Sequence, residues 1–154
     1  MKVQTSGETP TILEFKNMLK RNALKATPQR LAVHQAMRLL RHASADQVAA
    51  RISEDGKARV TITSVYNILR QLSQLGIYRQ LLSDDNKMYF DVNTLKHIHL
   101  YDVYNHTYKD ILDEELLATV ETALKKRRFK GFRVDGIDIQ ILCHPSHRKA
   151  PRSF

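Results

Sequence analysis

The chain has 154 residues, of which 42% are apolar, so it can build one large core or two small ones and is not a disordered protein. Its single cysteine, Cys143, excludes an intramolecular disulfide and any Cys-x-x-Cys zinc site. The net charge of +9 is uneven, with 12 Lys and Arg against 5 Asp and Glu in residues 1–76 but 13 against 11 in residues 77–154. A basic first half is the electrostatic footprint expected of a nucleic-acid binder, although a merely solvated basic surface has the same charge.

Residues 1–9 are polar and read as an unstructured lead-in. The start Met1–Pro10 has no apolar run of the signal-peptide kind. No segment approaches the ~20 apolar residues of a membrane helix. A cytoplasmic protein with no membrane partner is therefore expected. Pro10 is placed to open a helix carrying Ile12, Phe15 and Leu19 at helical spacing. Thr27-Pro28 is a stronger start, a capping side chain before Pro at the first helical position, and Val33, Ala36, Met37 and Leu40 follow on one face. Ser44-Ala45-Asp46-Gln47 fits a capping box, with Val48 and Ile52 behind it and Gly56 as the stop. Thr61 caps a fourth helix whose stripe is Val65, Ile68, Leu69, Leu72 and Leu75, closed by Gly76.

The period then changes to two. Ile77–Leu82 and Lys87–Val92 flank the turn cluster Ser83-Asp84-Asp85-Asn86 and read as a hairpin. Helices followed by a small hairpin are the plan of a winged helix-turn-helix, with the fourth helix in the major groove and the hairpin as wing. On that helix Ser64 and Tyr66 are placed to bond phosphates or touch thymine methyls, Asn67 to read adenine, and Arg70 to meet phosphate or guanine, with Thr61 and Thr63 beside them. The ordinary alternatives are that Thr61 is only a cap and Arg70 only a solvated charge.

A second unit follows Asn93-Thr94. Strands around His97–Val103 and His106–Leu112 form another hairpin, and Asp113 caps a helix whose expected buried face is Leu116, Leu117, Val120 and Leu124. Lys125-Lys126-Arg127-Arg128 ends that helix, where cations offset the dipole. A last strand is expected over Phe132–Cys143, with Gly136 permitting a bulge, and the tail from Pro145 to Phe154 is basic. The overall expectation is an α+β chain. Residues 1–92 form a winged-helix DNA-binding domain, and residues 93–154 form a small α/β domain.

His97 and His99 are the most informative pair. Alternate side chains of a strand share a face, so imidazoles at i and i+2 can converge on one point. If Tyr104-Asn105 is the two-residue turn of this hairpin, His99 faces Asp110 and Tyr101 faces Tyr108. Asp91 stands six residues before His97 and can approach the same point. Imidazoles with carboxylates suit Fe, Mn or Zn. A lone strand histidine is more often hydrogen-bonded than metal-bound; the set is what argues for a metal. His106, His144 and His147 read as solvent residues, and Cys143 as a half-buried strand residue.

Several segments in order resemble the ferric uptake regulator family of metal-dependent bacterial repressors. They are Leu24-Lys25-Ala26-Thr27-Pro28-Gln29-Arg30, His42 with Ser44-Ala45-Asp46, Ser64-Val65-Tyr66-Asn67, Tyr89-Phe90-Asp91, His97-Ile98-His99 and Asp110-Ile111. The resemblance, over about residues 12–143, implies a homodimer that represses transcription from double-stranded DNA. The operator it implies is an AT-rich palindrome. A regulatory metal, Fe2+ or Mn2+ with Zn2+ as its stand-in in isolated protein, would be held by His42, Asp91, His97, His99 and Asp110. Tyr66 and Asn67 would then meet bases, Lys25 would lie near the minor groove, and Arg30 would complete the contact set with Thr63, Ser64 and Arg70. Asp at both acidic positions resembles the peroxide-responsive branch, in which bound ferrous iron reacts with peroxide and oxidises a ligand histidine. The family's pairs of zinc-binding cysteines are absent, so no structural zinc held by four cysteines is expected. In this the chain is also similar to the cysteine-poor haem- and iron-responsive regulators, though it lacks their Cys-Pro haem motif. Lys96 and Ile98 stand where iron-sensing members bind a further metal.

Two other readings compete with a repressor. A metalloenzyme would use the His-x-His and Asp groups, but it needs an open coordination position and a nearby base, and a shell of protein ligands closes the metal. A zinc-storage or structural site would exchange metal without changing DNA binding. Dimer stability without zinc is expected from an apolar interface of Val134, Ile139 and Ile141.

Overall fold

The computed structural model describes residues 9–147. The polar start ahead of Thr9 and the end of the basic tail lie outside the described residues. The chain divides into two compact units, residues 9–95 and 96–147.

The first unit holds α1 (Ile12–Arg21), α2 (Pro28–Leu40), β1 (His42–Ser44), α3 (Ala45–Asp55), α4 (Ile62–Gln74), β2 (Arg79–Leu82) and β3 (Met88–Asp91). Its strands run β1-β3-β2, all antiparallel, and the β2–β3 hairpin is the wing. The helix starts follow from their caps. Thr27 accepts from the Arg30 amide, Ser44 and Gln47 form a reciprocal box, and Thr61 and Ser64 form another. The first helix opens later than Pro10 suggests. Thr11 caps it, accepting from the Glu14 amide at 3.2 Å, while Glu14 reaches back to the Thr11 amide at 2.6 Å. The Thr and Glu side chains satisfy orphan amides where Pro only removes one, so the box sets the boundary.

The core is the apolar stripes meeting: Phe15 and Leu19 from α1, Val33 and Met37 from α2, Val48 and Ile52 from α3, Leu69 and Leu72 from α4, and Phe90 from the sheet. Each such side chain contributes about 1.5–3 kcal/mol by leaving water. One polar group is set among them. The His34 ring stacks on Phe15 at 4.0 Å, its Nε2 lies 2.8 Å from the Pro10 carbonyl and its Nδ1 lies 2.7 Å from the Tyr78 hydroxyl. A carbonyl only accepts, so Nε2 carries the proton and the tyrosine hydroxyl donates to Nδ1. Burial pushes the His34 pKa down to about 4 and raises that of Tyr78.

The second unit holds β4 (Ile98–Asp102), β5 (Thr107–Ile111), α5 (Glu114–Lys125) and β6 (Ile139–Cys143), with strand order β5-β4-β6. β5 is antiparallel to β4, and β6 is parallel to it. The antiparallel register pairs His99 with Asp110 and Tyr101 with Tyr108, as expected. The turn spans residues 103–106 rather than the two residues expected, but it is centred on the same point and so keeps the register. Asp102 Oδ1 accepts from the Tyr104 and Asn105 amides at 2.9 and 3.1 Å. The last strand is shorter than the expected Phe132–Cys143. Phe132 and Val134 precede it and are exposed, and Gly136 lies ahead of the strand rather than inside a bulge. No residue of α5 is buried, so the expected apolar face is only half covered. Three strands and one helix are too thin to enclose it. Among the described residues no helix is long and apolar enough to cross a membrane.

Candidate metal centre and nucleic-acid interface

Two sets of donor groups form, one in each unit. In the first, β1 is a three-residue strand that periodicity does not reveal, and it pairs antiparallel with β3 so that His42 and Asp91 are direct partners. Their side chains meet, His42 Nε2 lying 3.4 Å from Asp91 Oδ2, and both are buried. Asp91 Oδ1 accepts from the Asn93 amide at 2.8 Å, which holds the carboxylate's other oxygen toward His42. The residue before His42 bends the chain sharply: Arg41 has φ 63° and ψ −57°, near a γ-turn of the strained hand.

In the second unit, His97 precedes β4 and His99 lies on it, and their Nε2 atoms are 2.8 Å apart. Asp110 Oδ1 lies 3.1 Å from His97 Nε2 and 3.8 Å from His99 Nε2, and all three side chains are buried. Donors about 2.1 Å from one ion lie roughly 3.0–3.4 Å apart at tetrahedral or octahedral angles. The triad spacings bracket that range, and the His42–Asp91 spacing meets it. Imidazole nitrogens and carboxylate oxygens without thiolate are the donor set of Fe2+, Mn2+ or Zn2+. The residues fit a divalent transition metal. The His99 ring is braced by Tyr108, edge-on at 5.8 Å, and Tyr108 lies 4.6 Å from Tyr101.

The sequence-predicted DNA residues divide by what they already touch. Thr63, Asn67 and Arg70 are exposed on α4 at i, i+4 and i+7, and Lys25 is exposed in the α1–α2 connection. Ser64 is half-buried, and its hydroxyl is engaged with the Thr61 amide at 3.1 Å and the Thr61 carbonyl at 2.9 Å. Tyr66 is half-buried with its ring edge-on to Phe90 at 6.4 Å. Arg30 donates to the Lys25 carbonyl at 2.9 Å and to Gln71 Oε1 at 3.1 Å, so its guanidinium clamps the α1–α2 connection to α4. Sequence reasoning missed that clamp, and it missed Asp138, whose Oδ1 lies 3.8 Å from His99 Nδ1. The sequence signal for Asp138 was its place as a polar residue between Ile137 and Ile139 of the expected last strand.

The model of the ferric uptake regulator family matches residues 21–140. The chain belongs to that family. The Peroxide-responsive repressor PerR of Staphylococcus aureus is 31% identical over 86 residues, which are 53% of this chain and 55% of that protein. The match thus spans about half the length of that curated relative. A peroxide stress regulator of Campylobacter jejuni is 25% identical with a TM-score of 0.62, covering 88% of this chain and 98% of that one. The ferric uptake regulator of Vibrio cholerae, at 19% identity, shares the fold with a TM-score of 0.71 over 85% of this chain and 99% of its own. For a ferric uptake regulator family chain, the winged unit and the small α/β unit are the expected architecture.

Proposed function

We propose that this family member is a metal-dependent, DNA-binding transcriptional repressor of the peroxide- or iron-responsive kind, acting in the cytoplasm as a homodimer and not as an enzyme. The observation that carries this reading is the convergence of His97, His99 and Asp110 within one unit while His42 and Asp91 pair within the other. Each set alone is an incomplete shell of two or three protein donors. Together they supply three imidazoles and two carboxylates, enough to close one divalent ion. Bound there, Fe2+ or Mn2+ would supply a dipositive charge that donors from both units share. Residues 1–92 then act as the DNA-binding domain and residues 93–154 as the dimerisation domain, and the shared ligands favour one arrangement of the pair. Loss of one ligand imidazole, by oxidation or substitution, removes that preference. The name of the S. aureus relative supports a peroxide response, and the two aspartates agree with it.

The DNA surface of this reading is Thr63, Asn67 and Arg70 of α4 with Lys25, and Tyr66 beside them, facing an AT-rich palindromic operator. Ser64 and Arg30 shape the surface. The half-covered α5 face, with exposed Leu116, Ile141 and Leu142, supports a homodimer through the second unit. Zn2+ would fill the same donors in isolated protein, and with Cys143 alone no structural four-cysteine zinc is needed.

The test is a DNA-binding titration with the metal-free, Mn2+ and Fe2+ forms, each with and without a small excess of peroxide. Binding promoted by both metals and abolished by peroxide only in the iron form establishes the peroxide reading. Binding indifferent to peroxide makes metal or haem availability the signal. Binding indifferent to metal, or ester turnover by the loaded protein that His99→Ala abolishes, overturns the repressor reading. Affinity should fall steeply with salt, because Lys and Arg displace counterions from phosphate.

A further inference from the structure

We propose that Asp138 is a positioning residue that holds the His99 imidazole with its Nδ1 proton outward and its Nε2 lone pair toward the donor cluster. The inference rests on the metal-site reading above and deepens it.

His99 stands on the central strand of its sheet, and each flanking strand brings a carboxylate to it. From β5, its antiparallel partner Asp110 approaches Nε2 at 3.8 Å. From the other side, Asp138 precedes β6 and approaches Nδ1 at 3.8 Å. The parallel register pairs His99 with Gln140. Asp138, two residues earlier, shares the face of Gln140, and its carboxylate reaches His99 diagonally. The two nitrogens of one ring therefore have separate tasks. Nε2 is 2.8 Å from His97 Nε2 and belongs to the convergent donors. Nδ1 faces the carboxylate.

A neutral imidazole carries one N–H and one lone pair. Only the tautomer protonated at Nδ1 leaves Nε2 free to donate to a metal. A carboxylate beside Nδ1 attracts that N–H; with the proton on Nε2 instead, the Nδ1 lone pair would face the carboxylate oxygen and be repelled. The preference is thus set before any metal arrives. Tyr108 packs edge-on to the same ring at 5.8 Å. Outer-shell partners of this kind typically change metal affinity 10- to 100-fold when removed. The Asp138 side chain is 48% exposed, so solvent screens it and the effect belongs at the low end.

The experiment uses the full chain. Mn2+ affinity is measured by competition with a chelator for wild type, Asp138→Ala, Asp138→Asn, Asp138→Glu and His99→Ala, and the His99 ring tautomer is read by 15N NMR on the metal-free protein. Asp138→Ala is expected to bind Mn2+ about 10-fold more weakly, Asp138→Asn less affected, and Asp138→Glu closest to wild type. The metal-free wild type should show His99 protonated at Nδ1, and Asp138→Ala a mixture of tautomers. Wild-type affinity and an unchanged tautomer in Asp138→Ala would overturn the inference and leave the metal site standing. Should the alanine variant lose its far-UV CD spectrum, Asp138→Asn carries the same comparison. A wild type that does not bind Mn2+, or a His99→Ala variant that binds it equally well, overturns the metal-site reading and this inference with it.

Discussion

Acid should weaken the winged unit through His34. Its side chain is fully buried, its Nε2–H donates to the Pro10 carbonyl, and its Nδ1 accepts from Tyr78. Burial holds its folded pKa at about 4, against an ordinary 6.5. The folded state therefore refuses a proton that the unfolded chain accepts between those values. Stability from this group is complete above pH 6.5, declines as pH falls toward 4, and changes no further below that. A gap of about 2.5 pH units at 1.36 kcal/mol each amounts to about 3 kcal/mol. That is a large part of the 5–15 kcal/mol typical of a domain. Urea unfolding followed by far-UV CD at pH values from 4 to 7.5 measures it, in wild type and His34→Gln. The variant starts lower at pH 7, having lost the ring stack on Phe15. Its stability should fall less over the window than that of wild type, by about 3 kcal/mol. Parallel curves for the two proteins would refute the argument, because the shared carboxylates would then account for all the acid sensitivity.

Other residues give sharper separations of structure from function. Arg30→Ala should cost about 1–3 kcal/mol, read as a lowered urea midpoint, because the half-buried guanidinium holds Lys25 and Gln71; unchanged stability with lost DNA affinity would make it a DNA contact instead. Asn67→Ala should do the reverse, leaving the midpoint unchanged and lowering operator affinity by about 1–3 kcal/mol in a fluorescence-anisotropy titration. Thr61→Ala removes the cap of α4 and should lower stability by about 1 kcal/mol, with Asn at that position restoring most of it. Arg41→Gly should hold stability or raise it by up to about 1 kcal/mol, since glycine accepts φ 63° without strain; a loss above 1 kcal/mol would show that the Arg41 side chain matters more than its backbone.

What could be read from the chain was what neighbouring residues decide. Caps, turn residues and apolar periods act within a few positions, so α2, α3 and α4, the wing and the β4–β5 hairpin were legible. The hairpin register placed His99 opposite Asp110 because a short turn leaves the pairing no freedom. Family motifs carried His42 into the ligand set, but not the reason it meets Asp91. That reason is β1, whose three residues are too few for any period and exist as a strand only because β3 supplies their hydrogen bonds. β6 itself was expected from its alternation, but its pairing with β4 was not. A parallel strand is joined to its partner by a long crossover, so nothing near Asp138 announces that it arrives beside His99. Local chemistry determined the elements and most candidate ligands. Only tertiary pairing decided which nitrogen of each imidazole faces which carboxylate, because that depends on strands brought together from distant parts of the chain.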